Sequence, residues 1–232
     1  MAAFPTTRWT LIRQAISTPT PESRQALESL CQQYAGPVLA FVRHRVSSVE
    51  KAEDVAQGFF AHLLESELLD RADAERGRFR TFLLHALRGY MADVHDFETA
   101  QKRGGGKQIV SFAASGVLDP SHAATPERQF ELQWVRTLLS SSLQKLEAEY
   151  SSTGKADLFQ SLRGLLDSGE KTPAKELAKT LRMSEPAVRV ATHRLRKRLG
   201  QIIRAEIADT VPRSIDVDDE LTRLMQILET RS

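Results

Sequence analysis

Cysteine is nearly missing from this 232-residue chain, which has Cys31 alone. A lone thiol excludes an internal disulfide framework and a cysteine-built zinc site, and it suits a reducing compartment. Long apolar runs are missing as well: no stretch approaches the roughly 18 residues that a membrane span needs. The first residues, MAAFPTTRWTLIRQAI, lack a basic start followed by an apolar block, so no secretory signal is expected. These absences predict a cytoplasmic protein with no membrane partner. Strand-like alternation is almost absent. A strong overall charge is absent too, since the net charge is only +2. With 41% hydrophobic and 27% charged residues, the chain can build cores and general disorder is excluded.

What is present is helical periodicity, broken by Gly, Pro and Ser. Thr7 is placed to cap a short helix through Ile16 that turns Trp9 and Ile12 inward, and PTPES at 19–23 reads as a loop. A second helix carries Leu27, Leu30, Cys31, Tyr34, Val38, Phe41 and Val42, with Pro37 expected to kink or restart it. A third runs from about Lys51 to Leu69. The fourth, with Phe79, Phe82, Leu83, Ala86, Leu87, Tyr90, Met91, Val94 and Phe97, has the strongest pattern. The pattern stops at Gln101, and KRGGGK at 102–107 opens a Gly, Ser, Pro and Ala stretch. The expected fold class is therefore all-α, with two small helical domains at 1–104 and 128–208. A flexible linker at 105–127 joins them, and an amphipathic tail helix lies within 209–232.

The second domain holds the most specific motif, TPAKELAKTLRMSEPAVRVATHRLRKRLGQIIR at 172–204. Thr172 can cap a helix that opens with Pro173, and Ser184 caps the next. Arg182 stands where the tight turn between them usually has Gly, which costs about 1 kcal/mol in a left-handed conformation. Val188, Ala191, Leu195, Leu199 and Ile202 form the buried stripe of the second helix. Its other face presents Glu185, Arg189, Thr192, His193 and Arg196, as a helix entering a major groove must. Between Arg182 and Arg204 seven Arg or Lys face one acid, Glu185, a local charge of +6. Such concentration marks an electrostatic footprint for phosphates. The tail is the reverse: residues 205–232 carry seven acids and three Arg, a net −4. Val217, Leu221, Leu224, Met225 and Leu228 line one face of its helix. That stripe needs burial, for which the core of its own C-terminal domain is the simplest expectation.

The segments TTRWTLI (6–12), EDVAQGFFAHLLE (53–65), GRFRTFLLHALRGYMAD (77–93), AQKRGGG (100–106), the helix-turn-helix (172–200) and VDDEL (217–221) carry a joint resemblance. The chain resembles bacterial RNA polymerase sigma factors of the small extracytoplasmic-function type, and among them the variants of planctomycete-like and verrucomicrobial bacteria. The resemblance implies transcription initiation with no catalysis by this chain, no cofactor and no metal. The helix at 53–65 is implied to dock on the β′ clamp helices of core RNA polymerase, offering Glu53, Asp54, Gln57 and His62. The helix at 79–97 and the loop after it are implied to hold the unpaired minus-ten strand. Arg78, Arg80, Arg88, Tyr90, His95, Lys102, Arg103 and Lys107 would supply cations, a flat ring and polar groups there. The helix-turn-helix is implied to read the minus-thirty-five element and to touch the β flap. Arg189, Thr192, His193 and Arg196 are expected at base edges or nearby phosphates, with Arg194, Lys197 and Arg198 on the backbone. No Trp falls within 77–107, so melting is expected to favour stringent promoters.

Other chemistry fits the residues poorly. His95 and Asp96 resemble the paired ligands of metal phosphohydrolases, but His44, His62 and His85 show no ligand spacing. GGGK at 104–107 lacks the spacing and Ser/Thr of a phosphate loop, and no Ser, His and Asp set is placed for nucleophilic work. A stand-alone dimeric helix-turn-helix repressor or activator remains the alternative. Two means of control stay open: an anti-sigma partner, or self-inhibition in which the acidic tail masks the basic helix or bridges the domains.

Overall fold

In the computed structural model, residues 20–66, 68–72, 77–104, 125–167, 174–211 and 216–229 are described. Among them there are eight α-helices and no strand. They are α1 (Pro21–Arg43), α2 (Val49–Glu65), α3 (Phe79–Gly104), α4 (Pro126–Ser152), α5 (Ala156–Asp167), α6 (Ala174–Thr180), α7 (Glu185–Ala208) and α8 (Val217–Glu229), with a 3-10 turn at Leu69–Arg71. The chain is all-α, as its periodicity predicts. The expected N-terminal helix at Thr7–Ile16, the caps Thr172 and Pro173, and most of the expected linker lie outside the described residues.

Local chemistry sets several boundaries. Pro21 opens α1 where its missing N–H costs nothing, so the helix begins inside the run expected to be a loop. Pro37 neither restarts α1 nor divides it; the helix is continuous to Arg43, with Pro37 buried inside it. Ser48 caps α2, its hydroxyl accepting from the Lys51 N–H at 3.3 Å, and Glu50 in the first turn complements the dipole. This helix ends at Glu65, short of the expected Leu69, because Ser66 leaves the helical region with ψ 159°.

Two compact units result, one drawn from Met1–Thr137 with Ala208–Ser232 and the other from Leu138–Ile207. In the first, α1 buries Tyr34, Val38, Phe41 and Val42, α2 buries Val55, Phe59 and Leu63, and α3 buries Phe79, Leu83 and Leu87. Phe130 and Trp134 of α4 are also fully buried in this unit, as is Leu224 of α8. Tyr34 organises the aromatics, meeting the Phe79 ring edge-on at 5.4 Å and stacking near Phe130 at 6.5 Å. The stripe of the tail is thus satisfied within the first unit rather than on a helix-turn-helix core. Lys51 of α2 donates to Glu98 of α3 at 2.7 Å. Phe97, expected on the apolar face of α3, is instead 65% exposed.

The second unit closes around Leu146, Phe159, Leu162, Ala178, Val188, Leu195 and Ile202. Lys145 and the buried Glu206 pair beside this core. Gly154 (φ 70°) ends α4, with N–H groups of Gly154 and Lys155 returning to the carbonyls of Ser151 and Tyr150. That paired closure satisfies the last carbonyls of a helix and favours Gly at the left-handed position.

Candidate nucleic-acid interface

The end of α6 repeats the Gly154 closure with Arg182 in place of glycine. Met183 N–H donates to the Ala178 carbonyl at 2.9 Å and Arg182 N–H to the Lys179 carbonyl at 3.3 Å, with Arg182 at φ 52°. Among the described non-glycine residues Arg182 alone has a positive φ. Ser184 then caps α7, its hydroxyl accepting from Ala187 N–H at 3.3 Å. A short helix, a strained turn and a capped second helix therefore stand as the sequence spacing requires.

On α7 the predicted residues separate into groups. Arg189, His193, Arg194, Arg196, Lys197 and Arg198 are exposed. Thr192 is not: it is 8% exposed and its hydroxyl donates to the Val188 carbonyl at 2.9 Å, so it belongs to the packed face. Arg189 lies 3.9 Å from Glu185 one turn earlier. Arg196 donates to the Leu165 carbonyl at 2.8 Å, and Arg198 grips Glu149 with two bonds of 2.7 and 2.6 Å. Among the described residues, His193, Arg194 and Lys197 show no such partner. The helix thus presents a cationic surface, part of which is already engaged.

In the first unit, Glu53, Asp54, Gln57 and His62 of α2 are all exposed. Glu53 accepts from Arg43 at 3.1 Å, an exposed pair. His62 sits 5.3 Å from the ring of Tyr90 on α3, so two groups expected to serve different partners are neighbours. Tyr90 is half-buried, its ring 5.8 Å from Phe59, and burial pushes its phenol pKa up.

The cations expected at the minus-ten strand divide sharply. Arg88 is exposed and donates to Glu127 at 2.5 Å, a carboxylate also within 3.4 Å of Arg45. Arg78 is half-buried and donates to Glu220 of α8 at 2.7 Å. Arg80, expected at DNA, is 2% exposed and pairs with the same Glu220, its guanidinium 4.7 Å from the Trp134 ring centroid. Burial draws the Arg80 pKa down and Glu220 opposes that pull; a guanidinium stays charged either way. His95 is half-buried, with its backbone carbonyl accepting from the Thr99 hydroxyl at 2.8 Å. Lys102 and Arg103 fall in the last turn of α3, and Lys107 lies outside the described residues.

Glu220 and Phe97 take places that the sequence does not single out. Glu220 gave no signal beyond its place in an acidic first turn, because its partners lie about 140 positions away. Phe97 did give one: it follows Tyr90 by two helical turns, and such a ring is exposed wherever the core ends before the helix does. Among the described residues no group of three or more His, Cys, Asp or Glu could hold a metal ion. No described helix is long and apolar enough to cross a membrane.

Residues 30–97, from within α1 to near the end of α3, match the family model for Sigma-70 region 2. The match supports a sigma-factor role, in RNA polymerase binding and promoter melting, for this helical segment. Neither a curated protein nor a solved structure matches the chain.

Proposed function

We propose that this chain is a sigma factor of the extracytoplasmic-function type that binds core RNA polymerase and directs promoter-specific initiation in the cytoplasm. The observation that carries the reading is the Sigma-70 region 2 match over residues 30–97, followed in the same chain by a short helix and a capped second helix with a cationic outer face. The exposed groups Glu53, Asp54, Gln57 and His62 are assigned to the β′ clamp helices, where carboxylates and an amide suit arginine partners. Arg78, Arg88, Tyr90, His95, Lys102, Arg103 and Lys107 are assigned to the minus-ten strand. Phe97 joins them as an exposed ring on which an unpaired base can stack. On α7, Arg189, His193 and Arg196 are assigned to the minus-thirty-five element and its phosphates, Arg194, Lys197 and Arg198 to the backbone. We assign it to the planctomycete-like and verrucomicrobial variant with a C-terminal extension, which its sequence motifs resemble. Control falls to an anti-sigma partner or to the chain's own tail.

Reconstituted transcription tests this. Core polymerase plus the chain, on a genomic fragment library with start sites mapped, is expected to give initiation that depends on the chain. Failure to initiate, joined to failure to co-elute with core polymerase, would replace the reading with a stand-alone helix-turn-helix regulator binding duplex half-sites unaided.

A further inference from the structure

The carboxylate of Glu220 is fully buried, and each of its oxygens faces an arginine. It takes Nε of Arg78 at 2.7 Å and Nη2 of Arg80. The rest of α8 closes the same place. Arg223 donates to Glu131 of α4 at 2.9 Å, and Leu224 is buried. Seven residues before the helix, the Thr210 carbonyl accepts from Phe79 N–H at 3.2 Å, which ties that residue to the first residue of α3.

One carboxylate does not satisfy every donor here. Among the described residues, Nε and Nη1 of Arg80 and Nε1 of Trp134 are buried with no hydrogen-bond partner. Buried donors left unmatched are rare and call for explanation. Three unmet donor nitrogens, two on a guanidinium and one on an indole, suit an anion with more acceptor oxygens than a carboxylate, one that arginine grips by the same geometry. A nucleic-acid strand supplies such phosphates, and its bases stack on aromatic faces.

We propose that Arg78, Arg80 and Trp134 form a phosphate site for a single nucleic-acid strand, and that Glu220 of α8 occupies it as an intramolecular competitor. The inference rests on the sigma reading in that Arg78 lies at the head of the helix assigned to the minus-ten strand. With α8 seated, Glu220 engages both Arg78 and Arg80. With α8 lifted, the arginines exchange one anion for another, so neither is left buried without a counter-charge. Glu127 acts alongside on Arg88, the next cation along α3. The tail charge is therefore spent on the first unit, and it works by occupying a binding site.

The test compares one protein in two states. In the full chain with Cys31→Ser, Glu131→Cys and Arg223→Cys are joined by a short bifunctional thiosulfonate that dithiothreitol reverses, which pins α8. Binding of a fluorescein-labelled, mixed-sequence single-stranded DNA is read by anisotropy without polymerase. The pinned form is expected to bind at least about fivefold more weakly, in the range of ordinary coupling between sites, and reduction is expected to restore affinity. Capping both thiols with a monofunctional reagent controls for the chemistry. Glu220→Gln is expected to tighten binding, and if that variant does not fold the cross-link alone decides. Equal affinity in the pinned and reduced forms, or no binding in either, overturns the proposal and leaves α8 a fixed structural element. Because polymerase is absent, a chain that passes this test yet fails to initiate would lose the sigma reading and keep the site.

Discussion

Arg198 and Glu149 meet fork to fork, with N–O distances of 2.7 and 2.6 Å between α7 and α4 of the second unit. The same arginine is assigned to the DNA backbone, so the pair and the phosphate compete for it. The hydrogen bond from Arg198 holds the Glu149 carboxyl below its ordinary pKa, and in return Glu149 raises that of Arg198. Both side chains are more than two-fifths exposed, so the pair adds little stability. Glu149→Gln is expected to cost under about 1 kcal/mol of folding free energy. It frees a cation, so the salt dependence of DNA binding should steepen by about one unit of slope. Titrating affinity against salt for both proteins checks it, and an unchanged slope would remove Arg198 from the backbone set.

Arg182 tests the turn. A side chain at φ 52° costs about 1 kcal/mol or more, while glycine loses about 0.5–1 kcal/mol through its freer unfolded chain. Arg182→Gly should therefore be neutral to modestly stabilising, and Arg182→Val, whose branched Cβ suits that region worst, should lower Tm. Thermal unfolding of the two variants beside the parent gives the order; a valine variant as stable as the glycine one would show that the turn is not strained.

Gly58 tests the packing of α2 on α3. A Cβ there would run into the Tyr90 hydroxyl, and the Tyr90 ring is flanked by Phe59 and His62. Alanine favours the helix by nearly 1 kcal/mol, but overpacking costs about 1–3 kcal/mol, so Gly58→Ala is expected to destabilise. Adding Tyr90→Phe removes the colliding oxygen and should recover stability beyond the parent. A double-mutant cycle by chemical denaturation measures the coupling, and additive effects would mean the two positions do not touch.

Acid should loosen the contact of Glu127 with its arginines. Burial pushes the Glu127 carboxyl up, but the hydrogen bond from Arg88, one from its own backbone N–H and the charges of Arg88 and Arg45 outweigh it and hold the group below its ordinary value. A depressed folded pKa gives stability that is complete above the unfolded value and is lost as pH falls through the folded one. Tm measured from neutral pH down through the carboxylate range should fall more steeply for the parent than for Glu127→Gln. Parallel curves would remove this carboxylate from the acid response.

Much of the fold was legible because its signals are local. Ser184 is a cap wherever a helix follows, and the Arg182 turn is fixed by residues within a few positions. Thr192 misled because its hydroxyl suggests a DNA contact, although it stands four residues after Val188 and three before Leu195, both buried. On a helix that spacing is the packed face, and its hydroxyl is satisfied by the Val188 carbonyl. Arg80 was illegible for a different reason. Its position, three residues before Leu83 and seven before Leu87, puts it at the edge of the buried stripe. Only a carboxylate 140 residues later makes that tolerable. The opposite charges of tail and α7 suggested a mask over the helix-turn-helix, whereas the buried acid of the tail is matched to Arg78 and Arg80 by geometry that charge counting does not contain.

The two classes of contact on α7 can be separated by mutation. Arg189 is exposed near the start of the helix and Lys197 is exposed two turns later; the first is assigned to base edges and the second to the DNA backbone. Arg189→Ala should cost about 1–3 kcal/mol on the preferred minus-thirty-five element and relax selectivity at one position. Lys197→Ala should weaken all sequences alike and lower the salt slope by about one. The difference follows from chemistry: a guanidinium can present a fork to one base, whereas an ammonium is a point charge to which every phosphate is equivalent. A panel of minus-thirty-five variants assayed by polymerase-dependent initiation, at several salt concentrations, separates the two. Uniform loss in both mutants would show that α7 holds the duplex without reading it, and would move the source of promoter selectivity to the minus-ten helix.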